Sequence, residues 1–157
     1  MLRIERLKSG DVNNFSRMAK KVINRTPYYS EEAKRGELAR FEPKRIRSKL
    51  NDKNCLYLVA KDGNKIVGFD HGYHDSGTFY AEWLGVEENS RRKGIAKKLI
   101  AVRERLLKNS GVHKIWADTR TNNREAIALY RKLGYQKTAT LKKHWYEQDF
   151  YLWHKFL

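Results

Sequence analysis

The run Arg91-Arg92-Lys93-Gly94-Ile95-Ala96-Lys97-Lys98 gathers cations around two small residues, just where an apolar helical pattern begins. The first turn of a helix leaves its backbone N–H groups unpaired and carries the positive end of the macrodipole, so it can hold an anion. Gly94 and Ala96 keep side-chain bulk off those amides, which lets a phosphate approach the backbone closely. The chemistry this arrangement offers is binding of a pyrophosphate on the amides of Arg92 to Ala96, with Arg91 alongside. Two better-known phosphate loops are absent: there is no Gly-x-x-x-x-Gly-Lys-Ser/Thr and no Gly-x-Gly-x-x-Gly. A second chemical candidate, Glu82, lies in the apolar run that precedes this turn. Period-two alternation sets it on one face with Tyr80, Leu84 and Val86, where a carboxylate could take a proton.

Elements of definite type must position these groups. Leu2 to Leu7 alternates as a strand, and Ser9-Gly10 turns into a helix that Asp11 is suited to cap, running to about Asn24. Thr26-Pro27 breaks it. Ser30-Glu31-Glu32 opens a second helix with acids near its positive end, and a third runs from Pro43 to about Leu50. Cys55–Lys61 and Lys65–His74 read as strands joined at Asp62-Gly63-Asn64, a hairpin signal. Ser76-Gly77 leads into a strand from Thr78 to Val86, which feeds the Gly94 helix. That helix extends to about Ser110, with Gly111 as its stop. A short buried strand, Lys114–Thr119, precedes a helix capped by Asn122 or Asn123 and stopped at Gly134. Its residues Ala126, Leu129, Tyr130 and Leu133 share one face. Tyr135–Leu141 and Phe150–Leu157 close the chain as strands. The order predicts one α/β domain over residues 1–157, with a sheet of mixed direction.

Val86 followed by Arg91-x-x-Gly94-x-Ala96 resembles the acetyl-coenzyme A signature of the GCN5-related N-acetyltransferases (GNAT). Asn123-x-x-Ala126-x-x-Leu129-Tyr130-x-Lys132-x-Gly134-Tyr135 resembles the second signature of that family. The two occur in the family's order and at its separation. The resemblance implies a single acyl-CoA N-acyltransferase domain whose central sheet, mostly antiparallel, splays between its fourth and fifth strands and is flanked by helices. The splay would free backbone groups near Leu84 and Val86 to pair with a pantetheine arm, as an added strand would. The resemblance further implies acetyl-CoA as cosubstrate, held by Leu84, Val86, Arg91, Arg92, Lys93, Gly94, Ile95 and Ala96, with Asn123 against the pantetheine. Arg124 and Lys132 are candidates for the 3′-phosphate, although a solvated helix face explains them equally well.

Acetyl transfer to an amine requires that an ammonium lose a proton and that a departing thiolate gain one. Tyr130 stands where many GNAT enzymes carry the general acid; a structural tyrosine is the alternative. For the base the resemblance offers two residues, Glu82 ahead of Asp118. Many family members use an acid on the strand that holds Glu82. Asp118 stands where enzymes acetylating ribosomal-protein N-termini carry a Glu. Either could instead form a plain ion pair with a neighbouring Arg or Lys.

Composition narrows the classes. With 40% apolar residues and 34 Lys and Arg against 18 Asp and Glu, a packed and strongly cationic globule is expected, net charge +16. Polyanions would bind non-specifically at low salt. Cys55 is the only cysteine, which rules out an internal disulfide, and its apolar run argues for a buried structural thiol. His71-x-x-His74 has no further ligand nearby and the wrong strand spacing for a metal, so none is expected. Without a long apolar segment, neither membrane contact nor a location other than the cytoplasm is expected. The acceptor pocket is expected under Lys20–Leu50, whose Tyr28, Tyr29, Glu31, Glu32, Glu37, Phe41 and Glu42 suit an amine on a protein, a peptide or a small molecule. Asp70, His71, Tyr73 and His74 are further candidates for it. A non-catalytic acyl-CoA sensor and a basic nucleic-acid or ribosome-binding module remain as other functional readings.

Overall fold

The structure, a computed structural model, describes residues 1–157. Seven strands form one sheet: β1 (Leu2–Arg6), β2 (Cys55–Asp62), β3 (Lys65–Asp75), β4 (Thr78–Val86), β5 (Lys114–Arg120), β6 (Gln136–Leu141) and β7 (Phe150–Phe156). Their spatial order is β1-β2-β3-β4-β5-β7-β6. Every neighbouring pair is antiparallel except β4 and β5, which run parallel and are in register only at Thr78↔Lys114, Phe79↔Ile115 and Tyr80↔Trp116. Beyond Tyr80 that edge of β4 has no strand partner, so the sheet opens there. The expected α/β architecture, with its splay between the fourth and fifth strands, is what the chain adopts.

Five helices cover the sheet: α1 (Val12–Asn24), α2 (Glu31–Arg40), α3 (Pro43–Leu50), α4 (Ile95–Lys108) and α5 (Arg124–Lys132). The stripe Val12, Phe15, Ala19, Val22 and Ile23 of α1 packs with Phe41, Ile46, Tyr57, Val59 and Phe69 in a core on one side of the sheet. On the other side Ile95, Leu99, Ile100 and Leu107 of α4 join Leu58, Phe79, Ile115, Tyr130 and Trp153. The local signals mostly act as read. Ser30 Oγ accepts from the Ala33 amide and Asn123 Oδ1 from the Ala126 amide, capping α2 and α5. Gly134 leaves α5 at φ 82°, a left-handed turn that glycine enters without a Cβ clash. Asp11 departs from expectation: it makes no cap hydrogen bond, and its carboxylate instead meets Lys61 Nζ at 2.6 Å.

One irregularity matters for the site. The β3–β4 register runs His71↔Trp83 and then Gly72↔Ala81, so Glu82 is an extra residue in β4. A β-bulge of this kind turns two successive side chains toward one face. Glu82 and Trp83 both meet groups on the α1–α3 side, namely Arg40, His71 and Phe41. Leu84 and Val86 pack against the α4–α5 core. The expectation that Glu82 shares a face with Leu84 and Val86 is therefore corrected, because strict alternation ends at the bulge.

Phe69, fully buried, meets Phe15 and Phe41 edge-on with centroids 5.4 Å apart in each case. Phe69→Ala should destabilise the domain by about 3–5 kcal/mol, read from the denaturant midpoint at unchanged m-value.

Candidate functional site at the sheet opening

Where β4 and β5 part, a cavity of about 600 Å³ opens. Leu84, Gly85 and Val86 form one wall, and Asp118, Thr119 and Arg120 the other. The turn Arg91, Arg92, Gly94, Ile95, Ala96 and Lys97 closes one end, and α5 contributes Asn123, Ala126, Tyr130 and Lys132. Of the residues named from the sequence, Glu82, Leu84, Val86, Arg91, Arg92, Gly94, Ile95, Ala96, Asp118, Asn123, Tyr130 and Lys132 all border this one space. Lys93 and Arg124, both exposed, lie outside its lining.

The phosphate turn is built as its composition requires. Arg92 at φ 62° and Gly94 at φ 74° are both left-handed, and this reversal delivers the chain into α4. A Cβ at Gly94 would touch nothing within 4 Å, so only the backbone conformation, not crowding, asks for glycine there. Arg91 Nε donates to the Val86 carbonyl at 3.3 Å, tying the turn to the free edge of β4. The cavity, the bare strand edge and the exposed helix start together fit an extended, phosphate-bearing ligand.

Beside the cavity lies a polar cluster. Glu82 accepts from Arg40 Nη1, and its other oxygen lies 3.1 Å from His71 Nε2. His71 Nδ1 is 3.0 Å from the Leu56 carbonyl, which can only accept, so Nδ1 carries a proton. His71 Nε2 is thereby the ring nitrogen turned to the Glu82 carboxylate. Burial alone would raise the Glu82 carboxyl; the His71 hydrogen bond and the charges of His71, Arg40 and Arg45 outweigh it and hold the group below the usual range. Asp118 has a different setting. Its Oδ2 accepts from Tyr80 Oη and Trp145 Nε1, each at 3.0 Å, with no cation paired to it. Burial pushes its carboxyl up despite those two donors.

The α2 helix has a single fully buried residue, Ala33, so polar contacts hold it over the site. Glu37 accepts from Trp83 Nε1 at 2.7 Å and from Tyr146 Oη at 3.3 Å. Gly36 lies against the Tyr146 hydroxyl, and a Cβ there would force the end of that side chain to shift. Arg120, 4% exposed, was not singled out from sequence. It donates to the Tyr28 carbonyl at 2.7 Å, and its guanidinium lies 4.2 Å from the centre of the Tyr29 ring, so it ties the α1–α2 connection across the opening.

Tyr130 borders the cavity with its ring edge-on to Tyr135 at 4.8 Å and stacked on Trp153 at 6.0 Å. Two of the acceptor-pocket candidates are corrected. Asp70 points into the α4 core, where Arg103 Nη1 holds both its oxygens at 2.8 Å. His74 sits at the far end of β3 and accepts from the Gly77 amide. His71 and Tyr73 do face the cluster, Tyr73 edge-on to Tyr80. Cys55 is half-buried, with Sγ 3.8 Å from Asp52, rather than enclosed in the core.

The model of the acetyltransferase (GNAT) family matches residues 22–135. An acetyltransferase of Pectobacterium atrosepticum is 38% identical over 91 residues, 58% of this chain and 64% of that protein. One from Sodalis glossinidius is 37% identical over 91 residues with the same shares. The match thus spans less than two thirds of these relatives. Among solved structures, the PaiA N-acetyltransferase of Thermoplasma acidophilum in complex with coenzyme A superposes with a TM-score of 0.88 at 17% identity, covering 100% of this chain and 99% of that one. The ribosomal-protein-S18-alanine N-acetyltransferase of Escherichia coli does so with a TM-score of 0.78 at 18% identity, covering 99% and 94%. At such identities the likeness is one of fold.

Replacing Arg120 by Met should free the Tyr28–Tyr29 segment while leaving both cores intact. Amide hydrogen exchange over residues 26–30 is expected to accelerate at least about tenfold, with the cost to global stability near 1–2 kcal/mol.

Proposed function

The chain belongs to the acetyltransferase (GNAT) family, and from that premise we propose that it moves the acetyl group of acetyl-CoA to a primary amine by direct attack in a ternary complex, the acceptor being an amine of a protein or peptide. The observation that carries this reading is the single cavity that joins the phosphate turn and the unpaired edge of β4 to two groups able to exchange protons, Asp118 and Tyr130. Acetyl-CoA supplies an acyl group already activated as a thioester. Everything else falls to the chain. The amides of Arg92 to Ala96, with Arg91, hold the diphosphate, and Lys132, which borders the cavity, serves the 3′-phosphate. Backbone groups of Leu84 and Val86 align the pantetheine, and Asn123, already spent on its own helix cap, shapes the wall beside it.

Asp118 is the better base of the two acids. Both of its donors meet Oδ2, leaving Oδ1 for an ammonium, and its raised pKa makes it more basic than an ordinary carboxylate. Glu82 is committed to Arg40 and His71 and has the lowered pKa of a well-paired carboxylate. It therefore orients the acceptor side and takes no proton. Tyr130 stands as the acid that protonates the leaving sulfur.

The acceptor class rests on three supports. Glu37, Glu82 and Asp118, with the Tyr29 and Trp83 rings, offer charge and π-faces to an ammonium group. A protein of net charge +16 repels free polycations at a distance. A structural neighbour is named for acetylating an alanine of a ribosomal protein. No helix is long and apolar enough to cross a membrane.

Thiol release from acetyl-CoA, measured with a panel of peptides carrying a free α-amine and of small amines, tests this reading. Asp118→Asn should cut kcat by roughly 10²–10⁴-fold, whereas Glu82→Gln should act chiefly on the KM for the acceptor. The opposite pattern would transfer the base role to Glu82. The pH profile carries a sign. The base works only when ionised, so kcat/KM should fall as pH drops through the Asp118 pKa, with a midpoint above the ordinary carboxylate value of about 4. Asp118→Asn should abolish that limb.

A further inference from the structure

Beneath Tyr130 lies a set of charges that the reaction as described leaves unused. Arg103, on α4 between Leu99 and Leu107 in the apolar stripe, is wholly buried, and Asp70 on β3 is 2% exposed. Arg103 Nη1 bridges both Asp70 oxygens, and Nη2 donates to Tyr135 Oη at 3.0 Å. Tyr135 Oη in turn donates to Glu104, which pairs with Lys155 at 2.9 Å. Arg103 Nε, also buried, has no partner. Taking an ion pair out of water is costly, and apolar residues of like volume would hold this core at least as well. Stability therefore gives a poor account of the pair, and an unspent N–H on a buried guanidinium calls for another.

The account lies in the position of Tyr130. Its ring packs on Tyr135, the residue that shares the Arg103 guanidinium. Burial raises the Tyr130 hydroxyl to about 12, while the charge of Arg103, whose guanidinium binds the neighbouring Tyr135 hydroxyl, pulls the other way, and Asp70 and Asp118 act as weaker opposing charges. We propose that Arg103, fixed by Asp70, is a positioning residue for Tyr130, its free Nε–H receiving the charge that develops on Tyr130 Oη as that hydroxyl protonates the departing sulfur. The inference rests on Tyr130 being the acid. In that step the carbon–sulfur bond breaks with its electron pair going to sulfur. The Tyr130 proton goes to the same sulfur, and the phenolate left behind regains a proton from water. Asp118 meanwhile takes the proton of the attacking amine, so the two groups end one proton apart from their starting states and water restores both. Without a nearby cation the phenolate would form in a desolvated pocket with Asp118 and Asp70 as its neighbours.

The test replaces Asp70 and Arg103 together, by Asn and Met, so that no lone charge stays buried. Fluorotyrosine in place of Tyr130 reports its own ionisation through its ¹⁹F resonance, independently of turnover. Its titration should move to higher pH in the Asp70→Asn/Arg103→Met protein, and with Arg103→Lys, which keeps the charge but loses Nε, it should fall between the two. Equal titration in all three proteins overturns the proposal. Turnover supplies a second readout: the paired substitution should lower kcat about tenfold with little change in the KM for acetyl-CoA, and less than about twofold when Tyr130 is already Phe. A full loss repeated on the Tyr130→Phe background would mean that Arg103 acts on the fold and not through the tyrosine. If Tyr130→Phe alone leaves kcat unchanged, the acid assignment itself fails and this inference falls with it.

Discussion

Parallel strands β4 and β5 pair over three residues and then part, and the site depends on that early end to the pairing. A parallel ladder continued to Val86 would satisfy the outer edge of β4 and fill the space between the strands. Because it stops at Tyr80, the amides and carbonyls beyond have no strand partner, and the gap becomes a cavity walled by backbone on one side and by Asp118 to Arg120 on the other. The two cores hold the strands apart. Phe79, Ile115 and Trp153 bind the closed end from the α4–α5 side, while Phe69 and Phe41 carry β3 and β4 on the other. The Arg120 guanidinium then spans the open end and anchors the α1–α2 connection to it.

On this frame the two faces of the sheet have separate tasks. The α4–α5 side presents the helix start that suits phosphates, and beneath it the Asp70–Arg103 pair beside Tyr130. The α1–α3 side presents acids and aromatic rings, and is the side proposed for the acceptor amine. The bulge at Glu82 links them: by adding one residue to β4 it turns both Glu82 and Trp83 toward the acceptor side while Leu84 and Val86 stay with the other. It also separates the two acids chemically. Glu82 is drawn into a network with Arg40 and His71, and Asp118 keeps only neutral donors. In the proposed reaction the carboxylate without a cation is the one that accepts the proton.

Much of this was legible in the sequence, and what was not has physical reasons. Gly94, Gly134 and Asn123 announce helix ends because only certain residues tolerate left-handed backbone or cap an amide. The elements therefore fall close to where they are read. The bulge leaves no such mark, since Ala81-Glu82-Trp83 alternates well enough until the β3 partner is known, and alternation alone puts Glu82 on the wrong face. Arg103 and Asp70 did leave a signal: each is a charge at a core position of an otherwise apolar pattern, Leu99-x-x-x-Arg103-x-x-x-Leu107 and Val67-Gly68-Phe69-Asp70. The partner of Asp70 is not visible locally, because it lies 33 residues away in the chain. The roles of Arg120, and of Gly36 against Tyr146, depend on contacts between distant segments, which no local pattern encodes.

The central claim is that the opening between β4 and β5 is a coenzyme A site. Amide hydrogen exchange with and without coenzyme A tests it most directly. Slowed exchange at Leu84 to Val86 and at Arg92 to Ala96, with β1, β2 and β6 unchanged, is the predicted result. Coenzyme A that leaves both segments unprotected, or protects a different surface, would contradict it.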